Sequence, residues 1–203
     1  MIIIFLIALT TAYLGLASPG MLNMTACKIS VERGAKEAFH FSIGASIVVV
    51  VQAYLALTFA KLISTEPTII ANFKIAGIVI FFLLSFYFFS QARKPKKEED
   101  HKKPKKGNFF LIGMGLSALN ALAIPFYLAI GIYSEEKGWL RMILYDKIIF
   151  VLGASLGVFL LLKTYCRFAQ TILRKSKLIA RNSNYILSIL FLVLGFVALF
   201  NVL

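Results

Sequence analysis

Residues 1–27 read MIIIFLIALTTAYLGLASPGMLNMTAC and contain no charged side chain. A helix of this length can cross the hydrocarbon core of a bilayer, which is roughly 30 Å thick. The tripeptide Ser18-Pro19-Gly20 interrupts the run, because proline lacks an amide hydrogen and crowds the preceding turn. Lipid cannot satisfy backbone groups freed in this way, so the interruption must lie against protein or a water-lined cavity. We therefore interpret it as a broken membrane helix with a part in function.

The composition of the whole chain is that of a membrane protein. Of its 203 residues, 60% are hydrophobic and 15% are charged, and the mean hydropathy is +0.84. A soluble domain of this size needs more surface charge. Six apolar runs predict an all-α polytopic membrane protein and leave no room for a soluble catalytic domain. They cover residues 2–24, 38–60, 68–90, 108–134, 142–162 and 184–203.

The basic residues predict the orientation of these six helices. Seventeen of the 22 lysines and arginines follow the first, third and fifth runs or lie at their edges, and the other five lie on the opposite side. Loops rich in Lys and Arg stay in the cytoplasm. The distribution therefore predicts an inner-membrane protein with both termini outside. The net charge of +13 is then explained by loops that face anionic lipid, and no nucleic-acid partner is expected.

A basic linker divides the chain into two halves of three helices each. The halves are residues 1–92 and 108–203, with the linker at 93–107. Because each half has an odd number of spans, a duplication would give two inverted three-helix repeats. The hexapeptide FSIGAS at 41–46 has a counterpart in FVLGAS at 150–155. We therefore predict six transmembrane helices arranged as two inverted repeats.

Small residues recur at intervals of four in several of the predicted helices. This spacing places small side chains on one helix face, so that neighbouring helices approach closely. The residues are Ala38, Ser42 and Ser46 in the second helix, Gly113, Ser117 and Ala121 in the fourth, and Gly153 and Gly157 in the fifth.

Polar residues near two helix interruptions are the candidates for binding a small molecule. The first group is Ser18, Pro19, Gly20 and Asn23, and the second is Asn120 with Pro125. An unwound turn offers amides to a carboxylate and carbonyls to an ammonium group, as in transporters with discontinuous helices. The structural alternative is a simple kink at Pro19, with Asn120 making a packing contact between helices.

Ionisable residues inside the predicted spans are scarce. Asp146 and His40 are the candidates for carrying a coupling proton, although both also suit the membrane interface. Metal-ligand clusters, a phosphate-binding glycine loop and a nucleophile elbow are all missing from the sequence. We therefore predict a protein that is not an enzyme and that has no cofactor and no metal site.

The motifs around the two interruptions resemble those of the LysE/RhtB family of small amino-acid exporters. The resemblance rests on Ser18-Pro19-Gly20, Gly34, Gly44, the basic linker and Asn120. It implies six spans and export of amino acids or related metabolites, driven by an ion gradient. Two of the usual motifs are altered, since Met21 replaces a second proline and Asn120-Ala121-Leu122 replaces Asn-Pro-Lys.

The sequence therefore predicts a secondary exporter of amino acids or similar polar metabolites, with a site between spans one and four. Its expected partners are the small-molecule substrate and the lipid bilayer, and a homo-oligomer is compatible with the sequence. Three alternatives stay open at this point. They are a metal-cation exporter, a thiol-redox relay through Cys27 and Cys166, and a scaffold that holds a partner by its basic linker.

Overall fold

The computed structural model describes residues 2–64, 67–93, 107–120, 122–174 and 176–200. Within these ranges all regular structure is α-helical, which confirms the all-α prediction. Most of the basic linker predicted at 93–107 lies outside the described residues. The helices are α1 (Ile2–Gly15), α2 (Met21–Glu32), α3 (Ala35–Ser64), α4 (Pro67–Arg93), α5 (Phe109–Ala118), α6 (Ala123–Glu136), α7 (Leu144–Arg167), α8 (Ala169–Arg174) and α9 (Ser176–Phe200).

Two stretches are long and apolar enough to cross a membrane as single helices, Ala35–Lys61 in α3 and Leu144–Arg167 in α7. The pair α5 and α6 makes a third candidate if it forms one span with a bend of 64°. Shorter apolar helices run over Ile2–Gly15, Ile78–Arg93 and Asn184–Val193. The chain is thus suited to several membrane crossings, and the count of six stays a prediction.

Two compact units divide the chain, and each takes helices from both sequence halves. The first unit comprises Met1–Leu62 and Lys102–Leu173, and the second Ile63–His101 and Arg174–Leu203. In the second unit α4 packs on α9. The Ser85 hydroxyl donates to the Ser188 carbonyl at 2.9 Å, and the Ser188 hydroxyl donates back to the Ser85 carbonyl at 3.0 Å. These reciprocal bonds satisfy two buried hydroxyls without a polar cavity.

In the first unit, glycines bring α3 and α5 into backbone contact. A Cβ atom added to Gly44 would lie 2.0 Å from the Phe110 carbonyl oxygen, and one added to Gly113 would lie 2.1 Å from that of Phe41. No side chain fits at such distances. The close approach expected for Gly113 from its spacing is therefore confirmed.

The crossing of α7 over α1 is built in the same way. A Cβ at Gly153 would lie 2.5 Å from the Phe5 carbonyl oxygen, and one at Gly157 would lie 2.5 Å from that of Leu9. Gly44 and Gly153 hold equivalent positions in the two matching hexapeptides. Each of these two glycines therefore meets a phenylalanine carbonyl of the other sequence half.

Candidate functional site

The first interruption, named break one, comprises residues 16–20 between α1 and α2. Its exposed carbonyls are occupied by a side chain from α2. The Asn23 amide nitrogen donates to the Leu16 carbonyl at 2.9 Å and to the Ser18 carbonyl at 2.8 Å. Asn23 itself is buried, so these two hydrogen bonds satisfy the carbonyls of the turn within the protein. The prediction that Asn23 belongs with the Ser-Pro-Gly turn thus has a geometric basis.

A second side chain reaches break one from α7. The Tyr165 hydroxyl donates to the Ala17 carbonyl, which lies between the two carbonyls that Asn23 occupies. Three consecutive carbonyls therefore accept side-chain hydrogen bonds. This arrangement stabilises an unwound segment whose carbonyls would otherwise be costly to bury.

The amides of break one have fewer partners than its carbonyls. Helix α2 begins after Gly20, which provides no side-chain cap, and the Gly20 amide donates to the Ser18 carbonyl at 2.8 Å. The amides of Met21, Leu22 and Asn23 have no hydrogen bond within the part of the chain that the structure describes. They form the positive end of a helix dipole, which attracts anions.

The interruption between α5 and α6, named break two, is held by α3. The Gln52 amide nitrogen donates to the Ser117 carbonyl at 3.0 Å. The Asn120 amide also donates to that carbonyl, at 3.0 Å, and the Asn120 carbonyl accepts from the Ala123 amide at 3.1 Å. Asn120 therefore closes this turn through its backbone, while its side chain is half-buried.

Pro125 lies in the first turn of α6, and its side chain is exposed. An amide in the first turn of a helix has no intrahelical partner, so proline is tolerated there. Pro125 therefore begins a helix and does not break one. Pro125 thus lies on the helix that forms one side of the groove described next.

A shallow, open groove of about 250 Å³, lined almost entirely by apolar surface, lies between α1 and α6. Phe126 of α6 covers Gly15, because a Cβ on that glycine would lie 2.5 Å from the phenyl ring. Two threonines line the groove, and the hydroxyl of each donates to a carbonyl of its own helix, Thr10 to Leu6 and Thr11 to Ile7. Their oxygens can still accept a hydrogen bond. The lining residues are Thr10, Thr11, Leu14, Gly15, Phe126 and Ile130.

The two candidates for ion coupling lie apart from both breaks. The Asp146 carboxylate is buried and pairs with the Arg141 guanidinium at 2.9 Å, which fixes the connection between α6 and α7. His40 is half-exposed, and its Nδ1 atom lies 3.9 Å from the Glu37 carboxylate. Neither contact joins these side chains to the breaks.

The two cysteines come together although 138 residues separate them in sequence. The Cys27 thiol donates to the Tyr165 carbonyl at 3.3 Å, and the Cys166 thiol donates to the Ala26 carbonyl at 3.6 Å. Both thiols are free, and these bonds to carbonyls describe a packing contact between α2 and α7. Among the described residues no three His, Cys, Asp or Glu side chains are grouped to hold a metal ion.

Tyr165, Gln52 and Phe126 are the contributors that sequence reasoning left outside the predicted site. Tyr165 and Gln52 come from helices remote in sequence from the breaks that they support, so no local pattern connects them. Phe126 is one of 19 phenylalanines and carries no distinguishing signal. Gln52 differs from its neighbours only as a polar residue inside an apolar run, and this alone does not predict which group it bonds to.

Comparison with known proteins identifies one family. The family model described as LysE type translocator matches residues 13–201, nearly the whole chain, and this span includes both breaks. No curated protein and no solved structure matches the chain.

Proposed function

The chain belongs to the LysE type translocator family, and from this we propose that it exports amino acids or similar small polar metabolites across the cytoplasmic membrane. The resemblance drawn from Ser18-Pro19-Gly20 and Asn120 is confirmed at the level of the family. As a member, the chain is a multi-pass membrane transporter. The proposal concerns its substrate class, its ion-gradient coupling and a site between spans one and four.

The observation that carries the proposal is the surplus of amide donors at break one. Three amides at the start of α2 lack partners among the described residues, while the carbonyls beside them are occupied. In a setting of low dielectric constant, such a helix end favours a carboxylate. We assign the substrate carboxylate to the amides of Met21, Leu22 and Asn23.

We assign the ammonium group of a zwitterion to the groove between α1 and α6 and to break two. Thr10 and Thr11 provide acceptor oxygens, and the Phe126 ring provides a face that attracts cations. Gln52 adds an acceptor at break two, because its Oε1 atom is buried and has no hydrogen-bond partner within the described ranges. An ammonium group suits all of these acceptors, and a second carboxylate suits none of them.

The proposed architecture is six spans in two inverted repeats, with the basic loops in the cytoplasm. The equivalent placement of Gly44 and Gly153 supports it, as does the bond of 2.9 Å from the Ser155 hydroxyl to the Ser46 carbonyl, since these two serines also match in the hexapeptides. Under this arrangement break one lies near the cytoplasmic side. Asp146 and His40 stay the candidates for proton coupling.

The test is transport into inverted membrane vesicles that contain the full chain. Comparative metabolomics of medium from cells with and without the protein first supplies the candidate substrates, and uptake of each into vesicles is then measured. The double variant Pro19→Ala with Asn120→Ala should abolish uptake while membrane insertion is unchanged, because it alters both breaks together.

Thr25→Ala is the matched control in α2. Its hydroxyl bonds only to the Met21 carbonyl of its own helix, at 2.7 Å, and this variant should transport normally. Undiminished uptake by the double variant would refute the assignment of the site. If no amino acid or related metabolite accumulates in vesicles of the unmodified protein, the proposed substrate class is wrong.

A further inference from the structure

Tyr165 of α7 bonds to a carbonyl of break one that lies between the two carbonyls held by Asn23. Its hydroxyl donates to the Ala17 carbonyl across 148 residues of sequence. Within the described residues no other hydrogen bond reaches that carbonyl. The Tyr165 side chain is buried, and the proposed transport site gives it no role of its own.

Packing on both sides of break one fixes the position of Tyr165. On the side of α1, the crossing with α7 is so close that a Cβ atom on Gly157 would lie 2.5 Å from the Leu9 carbonyl oxygen. On the side of α2, the Cys27 thiol donates to the Tyr165 carbonyl at 3.3 Å. The hydroxyl is therefore presented to the break by a backbone that contacts both flanking helices.

The bond from Tyr165 decides whether break one offers a free acceptor beside its free donors. The amides of Met21, Leu22 and Asn23 attract an anion. A carbonyl that has lost its donor accepts hydrogen bonds from an ammonium group or from water, because a buried acceptor without a partner is costly. Removal of the Tyr165 hydroxyl would thus place a site for a cation next to the site for an anion.

We propose that Tyr165 is a positioning residue that makes break one selective for a carboxylate, because it keeps the Ala17 carbonyl from binding a cation. The inference deepens the proposed function and rests on it, since the substrate carboxylate is assigned to the same break. Tyr165→Phe is the matching substitution. It removes the hydroxyl and keeps the ring that packs against its neighbours.

The experiment measures thermal unfolding of the purified full chain in detergent with sodium acetate, methylammonium chloride or sodium chloride at equal concentration. In the unmodified protein, acetate should raise the midpoint by about 2 °C above that in sodium chloride, and methylammonium should not raise it. In Tyr165→Phe, the acetate shift should shrink and methylammonium should raise the midpoint by about 1 °C. A purely structural role would lower the midpoint equally in all three salts.

Tyr13→Phe is the matched control, because it removes a tyrosine hydroxyl at the same crossing without touching the carbonyls of the break. The Tyr13 hydroxyl shares its hydrogen bond with the Thr164 hydroxyl, 3.1 Å away. This variant should respond to the salts as the unmodified protein does. An unchanged response in Tyr165→Phe, or the same altered response in Tyr13→Phe, would overturn the role of Tyr165.

Hydrogen exchange of the unmodified protein covers the case in which Tyr165→Phe does not fold. Acetate should slow exchange about threefold in peptides that contain the amides of Met21, Leu22 and Asn23, and methylammonium should not. Equal slowing by both salts, or by neither, would overturn the selectivity. The salt responses expected above without amino-acid uptake into vesicles would reject the proposed function and keep the role of Tyr165.

Discussion

Break one and break two interrupt two helices of the same unit, yet they leave different backbone groups without partners. At break one, side chains of Asn23 and Tyr165 occupy three carbonyls, and three amides of α2 have no partner among the described residues. At break two, the Ala123 amide bonds to Asn120 and Pro125 has no amide hydrogen. The first turn of α6 therefore keeps far fewer free donors than that of α2.

A helix interruption is therefore not by itself a binding site. Its chemistry depends on which groups the neighbouring helices satisfy. Break one has surplus donors and suits an anion, whereas break two has a surplus acceptor, the Oε1 atom of Gln52. The two breaks thus differ in the kind of group that they leave without a partner among the described residues.

The largest effect is expected from Gly113→Ala at the crossing of α3 and α5, just before break two. The new methyl group would lie 2.1 Å from the Phe41 carbonyl oxygen, and a backbone atom cannot move aside as a side chain does. We expect a loss of about 3 kcal/mol in the free energy of unfolding. Thermal unfolding of the purified protein in detergent measures it.

Gly115→Ala on the same helix is the control, because no atom lies within 4 Å of its added Cβ. This variant should be as stable as the unmodified protein or slightly more so. Gly157→Ala, on the side of break one, should cost less than Gly113→Ala, since its clash with the Leu9 carbonyl is at 2.5 Å. Equal stability of Gly113→Ala and Gly115→Ala would contradict the tight crossing.

The next effect is expected from Asn23→Ala at break one. The change removes two hydrogen bonds. The Leu16 carbonyl then has no partner among the described residues, whereas the Ser18 carbonyl still accepts the Gly20 amide. We expect the free energy of unfolding to fall by about 2 kcal/mol, measured by the same unfolding experiment. Asn23→Asp keeps the shape of the side chain but removes the amide donor, so its free energy of unfolding should fall by a similar amount. If Asn23→Asp were as stable as the unmodified protein, the shape of the side chain and not its hydrogen-bond donation would hold the turn.

The smallest of the three effects is expected from Gln52→Leu at break two. The change removes one bond to the Ser117 carbonyl, which still accepts the Asn120 amide at 3.0 Å. The loss should therefore be about 1 kcal/mol. Thr58→Ala is the control on α3, because its hydroxyl bonds only to the Tyr54 carbonyl of the same helix. If Gln52→Leu lowers the free energy of unfolding as much as Asn23→Ala does, side-chain hydrogen bonds support the two breaks equally and the difference described above is wrong.

Local patterns predicted the interruptions and the close helix crossings well. Proline within an apolar run predicts an interruption at Pro19 from covalent chemistry alone, and Gly113, Gly153 and Gly157 lie at crossings because only glycine allows backbones to touch. The position of Pro125 was harder to interpret, because the same residue either kinks a helix or begins one. Its place in the first turn of α6 depends on where α5 ends.

Composition and local backbone chemistry are enough to identify an apolar, helical membrane protein with an interrupted first helix, and the motifs of its family can be read from the residues alone. Which backbone groups each interruption leaves without a partner depends on how the helices pack. Tyr165 of α7 supports break one and Gln52 of α3 supports break two, and helices distant in sequence meet only when they pack. Break one thereby keeps its amide donors, since Asn23 and Tyr165 occupy its carbonyls and no side chain caps α2.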